Sequence, residues 1–157
     1  MKKERKMEAP KLAITHFNNK TLKENRQWRE LNDKIIYNSP IKIKEKIPLL
    51  HTVYVIEMNN ETNEVCGIGI IKNKISTRLN PRIYEDNNYN RYTYFGSKYI
   101  SKKLIDEEIL NNLETRLFKG KNHLKRSQGI CEVPEDVKKN YLKYFIELNN
   151  RISNDYP

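Results

Sequence analysis

Residues 53–71, Val-Tyr-Val-Ile-Glu-Met-Asn-Asn-Glu-Thr-Asn-Glu-Val-Cys-Gly-Ile-Gly-Ile-Ile, constrain the fold of this chain more than any other stretch. They read as two apolar β-strands joined by a polar turn of Asn, Glu and Thr. The second strand carries Gly67 and Gly69, and alternate residues of a strand share a face, so both glycines point the same way. Glycine weakens a strand and marks a bend or the close approach of another group. A strand bared on one face predicts a small barrel that lets a ligand or a nucleic-acid backbone come near.

The rest of the chain bounds what such a barrel belongs to. At 157 residues it is long enough for one domain with a buried core. Ten Tyr, four Phe and one Trp argue against disorder along the whole length. The net charge is +10 and unevenly spread, with 13 basic and 6 acidic side chains in residues 1–46 alone. A basic excess raises the local concentration of polyanions, although Lys, Asn, Ile and Tyr beside two alanines are also what an AT-rich coding bias produces. Cys66 and Cys131 are too few for a disulfide framework and sit in apolar, strand-like settings, which predicts a reducing, intracellular compartment. No apolar run approaches the ~18 residues of a membrane span, so no membrane partner is expected.

The reading along the chain is α-β-β-β-loop-β-α-β-α, an α+β pattern. Residues 1–19 are expected as a basic arm or an edge segment, and 20–157 as a single domain. A helix is predicted over 20–35, capped by Thr21 with Glu24, with Leu22, Trp28, Leu31 and Ile35 as its apolar stripe. Asn38-Ser-Pro40 breaks the chain, and the alternation in 41–47 predicts a half-exposed strand. Strands near 51–58 and 64–72 follow, then an Asn-rich surface loop over 73–90 and an aromatic strand at 91–95. The 102–118 segment reads as a helix with Ile105, Ile109, Leu113 and Leu117 inward, closed by Gly120. A short strand within 128–133 precedes a final helix that opens at Pro134 and presents Val137, Tyr141, Tyr144, Leu148 and Ile152 on one face.

Chemistry-bearing motifs are sparse. His16, His51 and His123 each stand alone, without the spacing of a zinc site. No catalytic serine elbow and no phosphate-binding Gly-rich loop is present, so neither a catalytic residue nor a cofactor is assigned. Glu57, Glu85, Asp86 and Lys98 are the only set that a metal-dependent nuclease could use, and Glu57 lies at a strand end where a solvated carboxylate is common. Basic stretches carry more. Lys119–Arg126 is a cationic loop, and Lys72, Lys74, Arg78 and Arg82 form a run with no acid from 72 to 84. Such groups hold phosphates without reading sequence. Tyr84, Tyr89, Tyr92 and Tyr94 lie nearby as stacking surfaces or as core.

The helix Asn25-Arg-Gln-Trp-Arg-Glu-Leu31, then Ile35-Ile-Tyr-Asn-Ser39, then Val53–Ile71 with its VCGIGII, resembles the PUA-like superfamily, nearest to its EVE and YTH branches. Those domains have a small β-barrel in which a Gly-bearing strand follows a strand with a polar end. Leu124-Lys-Arg-Ser-Gln-Gly-Ile-Cys-Glu-Val-Pro134 is similar to the closing segment of EVE domains, and the likeness spans roughly residues 22–150. This chain has one Trp where the YTH cage for a methylated base uses several, and it inserts the 73–90 loop. The run from Arg29 to Asn63 also resembles proteins of large DNA viruses, which would put the chain in an infected cell.

The resemblance implies a small mixed β-barrel with flanking helices that binds DNA or RNA without catalysis. A single-stranded, flipped or modified base would enter between the first helix and the barrel, with Trp28, Asn38, Ser39 and Asn59 as pocket residues. Lys72, Lys74, Lys121, Lys125, Arg126 and Gln128 would hold the backbone. The competing expectations are a structural or host-interaction protein, such as a minor virion component with a protein partner and incidental charge, and the metal-dependent nuclease.

Overall fold

The inner strands are buried on both faces, and their alternate side chains build two cores on opposite faces of one sheet. The computed structural model describes residues 9–155 and is an α+β fold of six strands and three α-helices. The elements are β1 (Lys11–Phe17), α1 (Asn19–Asn32), β2 (Ile35–Ser39), β3 (Thr52–Asn59), β4 (Glu64–Lys72), β5 (Tyr92–Ser101), α2 (Glu107–Phe118), β6 (Cys131–Glu132) and α3 (Glu135–Asp155). The sheet runs β2-β5-β4-β3-β1-β6, with β1 and β3 parallel and the other neighbours antiparallel. Leu12, Ile14, Tyr54, Ile56 and Met58 face a core completed by Leu113 and Leu117 of α2 and by Val137, Phe145 and Leu148 of α3. Ala13, Phe17, Tyr37, Val53, Val55 and Tyr94 face the other core, on the side covered by α1.

The sheet curls into a half-barrel. Its two edges approach at one end, where a Cβ added to Gly129, just before β6, would meet Ser39 Oγ of β2 at 2.6 Å and Ile41 Cγ1 at 2.9 Å. Gly129 has φ +69, so both its backbone angle and the contact across this seam call for glycine.

Several elements differ from the sequence reading, each for a physical reason. Residues 11–17 are not an arm or an edge but an inner strand between β3 and β6, because five of the seven are buried. Residues 1–8 of the expected arm lie outside the described residues. The helix α1 starts a turn earlier than Thr21. Asn18 is its cap, accepting from Thr21 N at 2.8 Å while Asn18 N donates to Thr21 Oγ1 at 3.0 Å. Asn18→Ala is expected to cost about 1 kcal/mol in chemical denaturation, the usual value of such a cap.

The helix ends at Asp33 in the left-handed region (φ 49), and Ile35–Ser39, expected as helix end and break, pairs with β5. Because β2 occupies that edge of β5, the 41–47 segment has no ladder to join. Its alternation is real, since Ile43 and Ile47 are buried, but Ile43 N donates to the Tyr94 hydroxyl at 2.9 Å and Ile47 N to Lys44 O at 3.1 Å. Ile105 precedes α2, whose cap is Asp106. The 73–90 loop is ordered by Asn90, whose Oδ1 accepts from Ile83 N, Tyr84 N and Asn38 Nδ2 and whose Nδ2 donates to Tyr84 O at 2.7 Å.

Candidate functional site

The paired glycines are filled from within the protein. A Cβ on Gly67 would overlap the Tyr99 hydroxyl, and one on Gly69 would overlap that of Tyr37. Both phenols reach across the bare strand to Glu57, which faces Gly67 in the ladder. Glu57 is 0 % exposed rather than solvated at a strand end. Its Oε1 accepts from Arg26 Nη2 at 2.7 Å, and its Oε2 accepts from Arg29 Nη2 at 2.7 Å and from the Tyr37 hydroxyl at 2.7 Å. The Tyr99 hydroxyl accepts from Arg26 Nη2 at 2.9 Å and has two acceptors in reach, Glu57 Oε1 at 3.1 Å and Cys66 O at 3.0 Å. The Arg29 guanidinium also lies over the Tyr37 and Tyr99 rings, 5.1 and 5.3 Å from their centroids.

Burial alone would raise the Glu57 carboxyl, but Arg29 and Arg26 outweigh it and hold the group below its ordinary value. Burial and the neighbouring carboxylate push the Tyr37 and Tyr99 phenols upward. This cluster is how α1 docks. Its inward face is Leu22, Asn25, Arg26 and Arg29, at i, i+3, i+4 and i+7, while Leu31, expected inward, is 86 % exposed. A sequence signal for it existed: Glu57 shares a strand face with Val53 and Val55, where a lone carboxylate demands partners.

With its oxygens taken by two guanidiniums and two phenols, Glu57 is not a free metal ligand. Glu85 pairs with Lys20, and Asp86 accepts from Asn88 N at 3.0 Å in the turn over Asn87–Asn90. Among the described residues, no three of His, Cys, Asp and Glu are grouped as a metal site would need. Cys66 is a free thiol pushed up to about 11 by burial, with Glu57 adding to the effect. No helix among the described residues is long and apolar enough to cross a membrane.

A cavity of about 540 Å³ opens at the seam, among the start of α1, the ends of β1 and β2, and the loops around 84–89 and 125–129. Thr15, Asn38, Tyr84 and Tyr89 supply polar and aromatic wall, and Lys125 and Gln128 stand opposite Asn38 and Pro40 across the seam. Among the described residues, Asp86 is the one acid of the lining. Tyr89 is 45 % exposed and meets the buried Tyr84 edge-on, with ring centroids 6.4 Å apart. His16 pins the far loop to β1, its Nε2 lying 2.7 Å from Leu124 O, and burial keeps this imidazole below its ordinary value.

The ten residues singled out from sequence separate in space. Asn38, Lys125 and Gln128 line the cavity. Ser39 sits behind it, donating to Ile41 O at 2.7 Å, and Asn59 holds the β3–β4 turn by accepting from Glu61 N at 3.0 Å. Trp28 packs on Phe95 with centroids 6.0 Å apart, away from the cavity lining. Lys121 and Arg126 are exposed on the 119–128 loop. Lys72 and Lys74 line a different opening, near the C-terminal end of α1. Tyr89 and Thr15 join the lining without a sequence signal of their own, Tyr89 because four loop and strand tyrosines look alike and Thr15 because the sequence does not mark β1 as a strand. No family model, no curated protein and no solved structure matches this chain.

Proposed function

We propose that the protein is a non-catalytic nucleic-acid-binding domain of PUA-like architecture that admits an unpaired base into the cavity at the barrel seam. The observation that carries this reading is the cavity itself: about 540 Å³, walled by hydrogen-bonding side chains and a half-exposed tyrosine, with Lys125 at its rim and Arg126 beside it. That volume lies in the usual range for small-molecule pockets. Unstacked bases are recognised by ring stacking and by hydrogen bonds to their edges. Tyr89, one of the four tyrosines offered as stacking surfaces from sequence, is the stacking ring, while Trp28, expected in the pocket, takes no part. Gln128 and Asn88 offer amide donors and acceptors, and Lys125 at the rim, with the exposed Lys121 and Arg126 of the same loop, is the set offered to phosphates flanking the base.

Titrating labelled single- and double-stranded DNA and RNA by fluorescence anisotropy across a salt series tests this. Tyr89→Ala is expected to weaken single-strand binding about 5- to 150-fold, the ~1–3 kcal/mol of a stacked base. The Lys121→Ala, Lys125→Ala, Arg126→Ala triple variant should reduce the salt slope by roughly 0.7 for each phosphate it no longer neutralises. Saturable binding that ignores both changes would remove the cavity from the reading.

A second reading has its own observation. Leu49 and Leu50 are 79 % and 62 % exposed at the tip of the turn before β3. An apolar tip of that kind fits a protein partner, and it predicts no saturable nucleic-acid binding at physiological salt.

A further inference from the structure

The chain has a second opening that the base-binding reading does not use. It is a wide groove of about 1330 Å³ at the C-terminal end of α1, bounded by the 74–78 loop and by β4 and β5 near Ile71 and Gly96. Among the described residues its lining holds Arg29, Lys34, Lys72, Lys74, Arg78 and Lys98 and one acid, Asp33, with Lys98 already engaged in an interaction of its own. Ser76, Thr77 and Ser97 add hydroxyls to the same wall.

A surplus of charge alone would describe only a solvated face. Arg29 is the independent observation. Its side chain is 9 % exposed and fixed by Glu57 on one side, yet its Nε has no hydrogen-bond partner and the residue lines the groove. Buried donors are normally paired, so Arg29 gives the wall of the groove a fixed positive charge whose hydrogen bonding is incomplete. Phe95 supplies an apolar floor, with Lys34 Nζ 5.5 Å from its ring centroid.

We propose that this groove is a second phosphate-binding track, which holds the sugar–phosphate backbone of the same strand whose base enters the seam cavity. This rests on the nucleic-acid reading above. The geometry sets a length. The cavity lies at Asn18 and Thr21 and the groove at Arg29 and Asp33, so the two are separated by most of α1, about 20 Å at ~1.5 Å per residue. A single strand stacked as in a duplex, at ~3.4 Å per nucleotide, needs about six nucleotides for that span, and an extended strand needs fewer but still more than two. Short oligomers therefore occupy one site, and long ones reach both.

The test compares single-stranded oligothymidylates of 2 and 20 nucleotides on the full chain, with Lys72→Gln, Lys74→Gln, Arg78→Gln as the groove variant. All three side chains are exposed, and an unchanged circular dichroism spectrum and melting point would verify its fold. The groove variant is expected to bind the 20-mer at least about tenfold more weakly, with the salt slope reduced by about 2, and to bind the dinucleotide as the wild type does. The Nε–H resonance of Arg29 should shift on adding the 20-mer to the wild type and shift less in the variant. An unchanged slope for the 20-mer overturns the track and leaves the cavity reading intact. Weaker 20-mer binding by the groove variant together with indifference to Tyr89→Ala keeps the track and removes the cavity. Equal capture of poly-glutamate, weakened to the same extent in the variant, overturns the track in favour of an acidic polypeptide.

Discussion

Glu57→Gln is expected to destabilise the fold by about 3–5 kcal/mol in urea or guanidinium denaturation. The substitution keeps the shape but leaves the guanidiniums of Arg26 and Arg29 without their counter-charge, and breaking one side of a buried ion pair costs that much. Arg26 is about a third exposed, which places the effect toward the lower end. Loosened α1 packing should accompany it, read as faster hydrogen exchange at Asn25–Asn32. A change below about 1 kcal/mol would mean that the cluster does not anchor the helix.

The same cluster fixes a pH window. The folded Glu57 carboxyl is held below its ordinary 4.5, so its contribution is complete above that value and is lost as pH falls below it. Tyr37 is raised above its ordinary 10.0, so its contribution is complete below 10 and is lost as pH rises beyond it. Between those limits this cluster adds no pH dependence, and the Glu57→Gln variant should lack the acid limb.

Gly69→Ala is expected to cost about 1–3 kcal/mol, large for one methyl group on a strand. The new Cβ would overlap the Tyr37 hydroxyl and lie 2.7 Å from Cζ of a ring that is 1 % exposed and cannot swing away. Displacing Tyr37 also costs its 2.7 Å hydrogen bond to Glu57. The diagnostic is a double-mutant cycle with Tyr37→Phe, which removes the overlapping hydroxyl. Gly69→Ala should cost less in that background, with a coupling of about 0.5–3 kcal/mol. Additive behaviour would show that the glycine serves the backbone and not the phenol.

What was legible in the chain was what neighbouring residues determine. The β3–β4 hairpin, the body and end of α2 and the opening of α3 follow from period and caps: Gly120 closes α2, whose start at Asp106 falls later than the expected 102, and Pro134 leads into α3. The side shared by Gly67 and Gly69, and the close approach they permit, also follow from strand parity. The identity of the approaching group does not, because Tyr99 arrives through β5 pairing with β4 and Tyr37 through β2 pairing with β5. Local period misled at 35–39 and 41–47, where two short apolar stretches were equally able to pair and only the first met the edge of β5. It misled in α1 as well, since a helix docked by Asn25, Arg26 and Arg29 shows no apolar stripe.

By itself the sequence determined an α+β chain with a glycine-bared hairpin strand and a cationic surface, since those depend on side-chain type and spacing alone. Tertiary structure decided that the bared strand shelters a buried carboxylate, that Asn38 faces Lys125 and Gln128 across a seam, and that Trp28 lies elsewhere. Those outcomes hang on strand order, register and the curl of the sheet, which are set by contacts among residues far apart in the chain, with Glu57 joining side chains from Arg26 to Tyr99.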